Sequence, residues 1–212
     1  MGVDIPPIDL VCMDDLEIPE VFRPTFGESS AYVIDRFDRA PGGQRIHIED
    51  FNQVRDRWPG DKYRGDSAAS LGELVVLVTD HDERSLEQYL RRLVAIVILG
   101  NEDAHPKNWS LIYRHPQRPV LAPAYDLVAT VAYTSLQRGL AFNLGRTRDP
   151  QAVEVEDLVA VATRMSMDSS VARSTVDDAI ERARATRDDA VASFGSHGPA
   201  LTAHLDALRL WR

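Results

Sequence analysis

Between Gly100 and Asp126 the chain reads GNEDAHPKNWSLIYRHPQRPVLAPAYD, a span dense in side chains able to do ionic chemistry. Asp103 and Asn108 stand in the register D-x-x-x-x-N, His105 and Lys107 lie between them, and Asp126 follows a second short apolar run. A carboxylate beside a hydroxyl orients it as a nucleophile and can take its proton, and the oxygens of Asp and Asn are hard ligands suited to Mg²⁺. One loop offering both, with a further carboxylate arriving from a separate pair of strands, suits phosphoryl transfer. That reaction asks a protein for placement and charge neutralisation more than for covalent help. The same residues also suit a polar loop in which Asp103 and Asn108 cap turns around Pro106. Spacing alone leaves both readings open.

The elements around this span are those a positioned site requires. Leu86, Tyr89, Leu90, Leu93, Val94, Val97 and Ile98 follow a three-four rhythm, with Ser85 as the expected N-cap and Gly100 as the stop. From Leu93 to Leu99 the helix is apolar nearly all round, as a buried helix is. Trp109 to Tyr113 and Val120 to Ala122 are strand candidates joined by a polar loop with prolines at 116 and 119, which predicts a hairpin. Upstream, Ile5 to Glu20 holds a strand or two, including the apolar run Ile8 to Cys12, and Ala31 to Phe37 is a further strand. Pro41-Gly42-Gly43 is the expected internal boundary. Asp50 to Trp58 and Ser67 to Thr79 read as helices, and Leu140 to Leu144 as a strand between glycines. After Pro150 three helices are expected, over Val155 to Met165, Val171 to Phe194 and Leu201 to Trp211. The fold class is α+β and mostly helical.

The chain has 212 residues, 44% of them apolar, enough for one real core. A formal net charge of −9 provides no basic stripe, which argues against direct nucleic-acid binding. No apolar run reaches the roughly 20 residues of a membrane span. Met1 to Pro7 is polar and proline-broken rather than basic and then apolar, so a cytoplasmic protein is expected. Cys12 is the single cysteine, consistent with a reducing compartment, and it reads as a small buried hydrophobe. Asp80-His81-Asp82 could suggest a metal hydrolase, but consecutive residues in an interhelical turn converge poorly on a metal.

D-x-x-x-x-N is also the spacing of a protein-kinase catalytic loop, and a more particular likeness extends it. N-E-D-A-H-P-K-N-W-S followed by L-A-P-A-Y-D-L-V resembles the signature of the HipA-family toxins, bacterial serine/threonine kinases with a D-x-H-x-K-N loop and a P-x-Y-D-[LIV] metal motif. I-D-R-F-D-R at Ile34 to Arg39 is similar to the family's hinge segment, and I-H-I-E-D-F and Lys62-Tyr63 resemble its next landmarks. The likeness runs in family order from about Tyr32 to Asp126. It implies a protein-kinase-like C-lobe over 41–212, preceded in 1–40 by a remnant of the N-lobe and the hinge strand. It implies ATP and Mg²⁺ as cofactors, Asp103 as catalytic base, and Asn108 and Asp126 as metal ligands. His105 and Lys107 would shape the catalytic loop, with Lys107 in reach of a phosphate. Asp35, Arg36 and Phe37 would line the adenine pocket, and Tyr125 would pack beneath the metal site. The implied partners are a protein substrate and a HipB-like helix-turn-helix antitoxin.

The departure from the family lies at the front. No lysine precedes Lys62, and Gly2 and Gly27 are the only glycines before the hinge. A phosphate-covering loop and its lysine are therefore expected from elsewhere, for instance a separately encoded N-lobe, and the isolated chain is expected to be a weak or inactive kinase. The alternative expectation is a non-catalytic C-lobe that binds an antitoxin or such an N-lobe.

Overall fold

A computed structural model describes residues 1–17, 30–63, 65–133 and 139–212. The class is the expected one, mostly helical α+β with two small sheets. Among the described residues no helix is long and apolar enough to cross a membrane.

Strands β1 (Ile8–Cys12) and β2 (Ser30–Ile34) pair antiparallel, from Ile8 opposite Ile34 to Cys12 opposite Ser30. The Asp35 amide extends the ladder by donating to the Pro7 carbonyl at 2.9 Å. Leu10 is 72% and Tyr32 62% exposed, so this ribbon stands clear of the core. Cys12 is exposed with it, against the expectation of a buried thiol. A two-stranded ribbon has no second layer to cover its side chains. The strand expected through Phe37 stops at Ile34, because the next residues turn to let Arg36 and Arg39 grip Asp38. Residues 18–20 of the expected strand region lie outside the described residues.

The second sheet has β4 (Ser110–Tyr113) at its centre, flanked by β3 (His47–Asp50) and β5 (Val120–Leu121), all antiparallel. The hairpin β4–β5 is the expected one, whereas β3 was not foreseen as a strand. At its end Asp50 caps α1 (Phe51–Val54) in a capping box with Gln53. Helix α2 (Ala68–Val78) starts in a second capping box, between Ser67 and Ser70.

Helix α3 (Glu83–Leu99) is the axis of the core, with Leu90, Leu93, Val94, Ala95 and Val97 fully buried. Burying each such Leu contributes roughly 1.5–3 kcal/mol, so this face alone accounts for much of the fold's stability. Its N-cap is Asp82, which accepts from the Ser85 amide at 2.8 Å; Ser85 was the expected cap. The carboxylate wins because the chain bends one turn earlier, at Asp80 and His81, both at positive φ. The Ser85 hydroxyl instead accepts from the Leu121 amide at 3.0 Å and ties α3 to β5. Helices α4 (Val155–Arg164) and α5 (Ser169–Ala185) pack over α2 and α3. The long helix expected to Phe194 divides at Thr186 into α5 and α6 (Arg187–Ser193), and α7 (Gly198–Ala207) closes the chain's last turn onto α6. Leu140 to Leu144, expected as a strand, is not one: Leu140, Ala141, Phe142 and Leu144 are buried, but only isolated bridges form there, such as Ser67 with Asn143.

Candidate active site

The site forms where α3 ends. Gly100 takes a left-handed conformation (φ 59°, ψ 43°) that stops the helix and turns the chain into the loop that carries Asp103. Asn101, 1% exposed, then works in two directions. Its Oδ1 accepts from the Asp103 amide at 3.2 Å, and its Nδ2 donates to the Asp126 carbonyl at 3.1 Å. Thr130 adds a second stitch, its hydroxyl donating to the Gly100 carbonyl and accepting from the Glu102 amide, both at 2.8 Å. The loop bearing Asp103 and the segment bearing Asp126 are thus knit together through backbone groups.

The predicted catalytic residues share this loop. The Asp103 carboxylate is 54% exposed and accepts from the Tyr63 hydroxyl at 2.5 Å. Asn108 donates its Nδ2 to the Asp103 carbonyl at 3.0 Å, which leaves Oδ1 as the atom available to a metal. His105 is buried and accepts at Nε2 from Lys62 Nζ at 2.9 Å, because an ammonium can only donate. The ring is therefore neutral with its proton on Nδ1, and that Nδ1 has no hydrogen-bond partner. Burial first, and the Lys62 charge second, hold its pKa below the ordinary histidine value. Lys107 is half-buried in the turn after His105, and among the described residues its ammonium makes no ion pair.

Asp126 sits at φ 57°, a left-handed conformation that costs an L-residue of order 1 kcal/mol and is met where surroundings impose it. Its carbonyl is the group held by Asn101. Asn108, Tyr125 and Asp126 line one small depression together with Asn101 and the buried Arg92. The Asn108 amide oxygen and the Asp126 carboxylate are hard donors of the kind Mg²⁺ takes alongside phosphate oxygens, so the pair fits that ion. Among the described residues no cluster of three His, Cys, Asp or Glu side chains could hold a metal without such help.

The stretch expected as a hinge reaches the site through one ring. Phe37 stacks on Tyr125 with centroids 5.8 Å apart, and the Tyr125 hydroxyl donates to the Lys107 carbonyl at 3.0 Å. Tyr125 therefore lies under the loop and against Phe37 at once. Arg36 turns its guanidinium away, into a fork on Asp38 at 2.8 and 2.6 Å, and Asp35 is exposed with its amide spent on Pro7. Of the three expected adenine-pocket residues, Phe37 alone joins the site by a side-chain contact.

Asn101, Thr130 and Arg92 had no expected role, and the Lys62–Tyr63 pair was expected only as a family landmark. Arg92 did carry a signal, a charge immediately before the apolar stretch of a buried helix. It is 3% exposed, donates to the Ala122 carbonyl, and lies over the Trp109 ring at 6.0 Å.

The family model of the HipA-like C-terminal domain matches residues 1–187. Among curated proteins the chain is 35% identical over 186 residues to one of Sinorhizobium fredii named "Putative kinase Y4dM", covering 87% of this chain and 44% of that protein. It is 29% identical over 142 residues to one of Haemophilus influenzae named "Putative kinase", covering 64% of this chain and 39% of that protein. The chain thus spans less than half the length of these relatives. Among solved structures it is similar in fold to one from Shewanella oneidensis, described as a toxin–antitoxin complex of HipA, HipB and operator DNA. The TM-score is 0.71 at 21% identity, covering 96% of this chain and 51% of that one.

Proposed function

The chain belongs to the HipA-like C-terminal domain family, and from that membership we propose that it carries the catalytic and metal-binding half of a serine/threonine protein kinase of toxin–antitoxin type. The reaction is phosphoryl transfer from Mg²⁺-ATP to a protein hydroxyl. Asp103 orients the acceptor hydroxyl and receives its proton. Asn108 and Asp126 would hold Mg²⁺, which when bound supplies neutralisation of phosphate charge. His105 shapes the loop, Lys107 offers a cation to a phosphate, and the stretch Asp35, Arg36 and Phe37 borders the adenine, with the Phe37 ring as its side-chain contribution. The division near Pro41 into an N-lobe remnant and a C-lobe belongs to the same proposal. So do a HipB-like helix-turn-helix antitoxin as partner and an N-lobe supplied by further polypeptide.

One observation carries the reading. Asn108 and Asp126, separated by a whole hairpin, border the same depression, with the Asn108 amide pinned so that its oxygen is the free atom. The test is calorimetric titration with ATP in the presence and absence of Mg²⁺. Mg²⁺-dependent binding is expected, lost in Asp126→Ala and Asn108→Ala and retained in Asp103→Asn. Asp103→Asn should slow phosphotransfer by a hundredfold or more, on the order of the contribution of a general base. Nucleotide binding indifferent to both metal-ligand substitutions would overturn the proposal.

A further inference from the structure

The Lys62–Tyr63 pair comes to the catalytic loop from a distant part of the chain and touches it repeatedly. Lys62 Nζ donates to His105 Nε2 at 2.9 Å and also lies 4.9 Å from the centre of the Tyr63 ring. That ring meets the His105 imidazole edge-on at 5.5 Å, and its hydroxyl donates to Asp103 Oδ1 at 2.5 Å. The stretch that presents them is clasped at its base. Asp66, its side chain 4% exposed, receives Arg55 Nη1 and, at 2.7 Å, Arg57 Nη1, while Arg55 Nη2 donates to the Ser70 carbonyl at 2.8 Å. Two guanidinium contacts on one buried carboxylate anchor the chain on either side of Lys62 and Tyr63.

We propose that Lys62 and Tyr63 are positioning residues for the acceptor end of the site. Tyr63 holds Asp103 Oδ1, so that Oδ2 is the oxygen offered to an incoming hydroxyl; Lys62 holds His105 and, through it, the turn that carries Lys107 and Asn108. The inference rests on Asp103 being the acceptor-orienting carboxylate. Among the described residues no other hydrogen bond reaches that carboxylate, and a half-exposed carboxylate left alone samples several rotamers. The choice of a phenol matters. A neutral donor fixes the carboxylate without cancelling its charge, whereas the neighbouring ammonium is spent on the imidazole. Lys62 also explains why His105 Nδ1 carries the proton, since the Nε2 position is already taken.

The test compares Tyr63→Phe, Lys62→Met and Lys62→Arg in the full chain. Amide hydrogen exchange across 101–108 should quicken by about tenfold in Tyr63→Phe and Lys62→Met, the scale of one lost hydrogen bond to a charged or strongly polar partner, with α5 unchanged. Lys62→Arg should restore most of the protection. In phosphotransfer, Tyr63→Phe should lower the rate at saturating nucleotide by about tenfold while leaving nucleotide affinity as it was. Unchanged loop exchange would sink the proposal whether or not transfer is measurable. So would faster transfer by Tyr63→Phe, which would mean that the phenol occupies the acceptor's place. If Asp103→Asn leaves transfer intact, or Asp126→Ala leaves nucleotide binding intact, the underlying reading of the site is what fails.

Discussion

Replacing Gly100 by alanine should damage the protein twice, once through the backbone and once through packing. At φ 59° a side chain costs roughly 1–2 kcal/mol, because Cβ crowds the following carbonyl oxygen. The new Cβ would also lie 2.3 Å from Val131 Cγ1, 2.9 Å from Val131 Cγ2 and 3.0 Å from His204 Nε2. His204 is buried and hydrogen-bonded through that nitrogen to the Val97 carbonyl at 2.9 Å, so it has little room to yield. Overpacking of this kind costs about 1–3 kcal/mol, for a total of roughly 2–5 kcal/mol. Gly195 supplies the control: it is also left-handed (φ 52°), but nothing lies within 4 Å of an added Cβ. Gly195→Ala should therefore cost only the backbone part, about 1–2 kcal/mol. Urea unfolding of both variants, read as shifts in midpoint at constant slope, gives the comparison directly. Equal losses in the two variants would refute the claim that Gly100 is required by close approach as well as by its backbone. Val131 lies just beyond Thr130, so Gly100→Ala should also weaken Mg²⁺-ATP binding, and Gly195→Ala should not.

Three further outcomes follow from the charge placements. Asp38 is held at a pKa of about 2, chiefly by the Arg36 fork, with burial opposing and Arg39 assisting. Because this lies below the ordinary 3.8, the contribution is fully present above that pH and is lost as pH falls from 3.8 through about 2. Arg36 is 63% exposed, so the contribution is discounted to about 1 kcal/mol, and Asp38→Asn should flatten the acid limb of a stability–pH curve by that amount. Asp66→Asn removes the charge shared by two partly buried guanidiniums, those of Arg55 and Arg57, and should cost about 2–4 kcal/mol by thermal unfolding. Arg92→Met should stay within about 1 kcal/mol of the parent. Relief of the burial that pushes the Arg92 pKa down to about 10 offsets the lost bond to Ala122. Arg92→Ala opens a cavity and should cost about 2–5 kcal/mol; equal losses for Met and Ala in calorimetry would contradict the offset.

What the sequence made legible was local and periodic. The apolar rhythm of α3, its glycine stop and the β4–β5 hairpin all lie within a few residues of their own signals. Strand β3 was missed because His47–Asp50 is four residues long, mixed in polarity, and made a strand only by pairing with Ser110–Tyr113 far along the chain. Leu140 to Leu144 had the apolar character of a strand, but burial without a partner strand makes no ladder. The break at Thr186 carries neither Gly nor Pro, so nothing in the sequence marked it. In the site, Asp103, Asn108 and Asp126 were recognisable by type and spacing, and His105 and Lys107 by their place between. Asn101 was not, and Tyr63 stood out only as part of a family landmark without a role. Their roles depend on which backbone carbonyl or carboxylate folding brings opposite, and a one-dimensional pattern does not encode that.

The stitches at Asn101 and Thr130 have a consequence for how this chain tolerates insertion. They join the start of the loop that bears Asp103 directly to the segment after the hairpin, so the relative placement of Asp103 and Asp126 does not depend on the length of chain between β4 and β5. Residues 114–118, at the tip of that hairpin, are exposed. A fluorescent tag or an affinity epitope grafted at Gln117 would hang from the fold as a side branch, giving an optical handle nine residues from Asn108 and from Asp126 in sequence yet mechanically decoupled from the site.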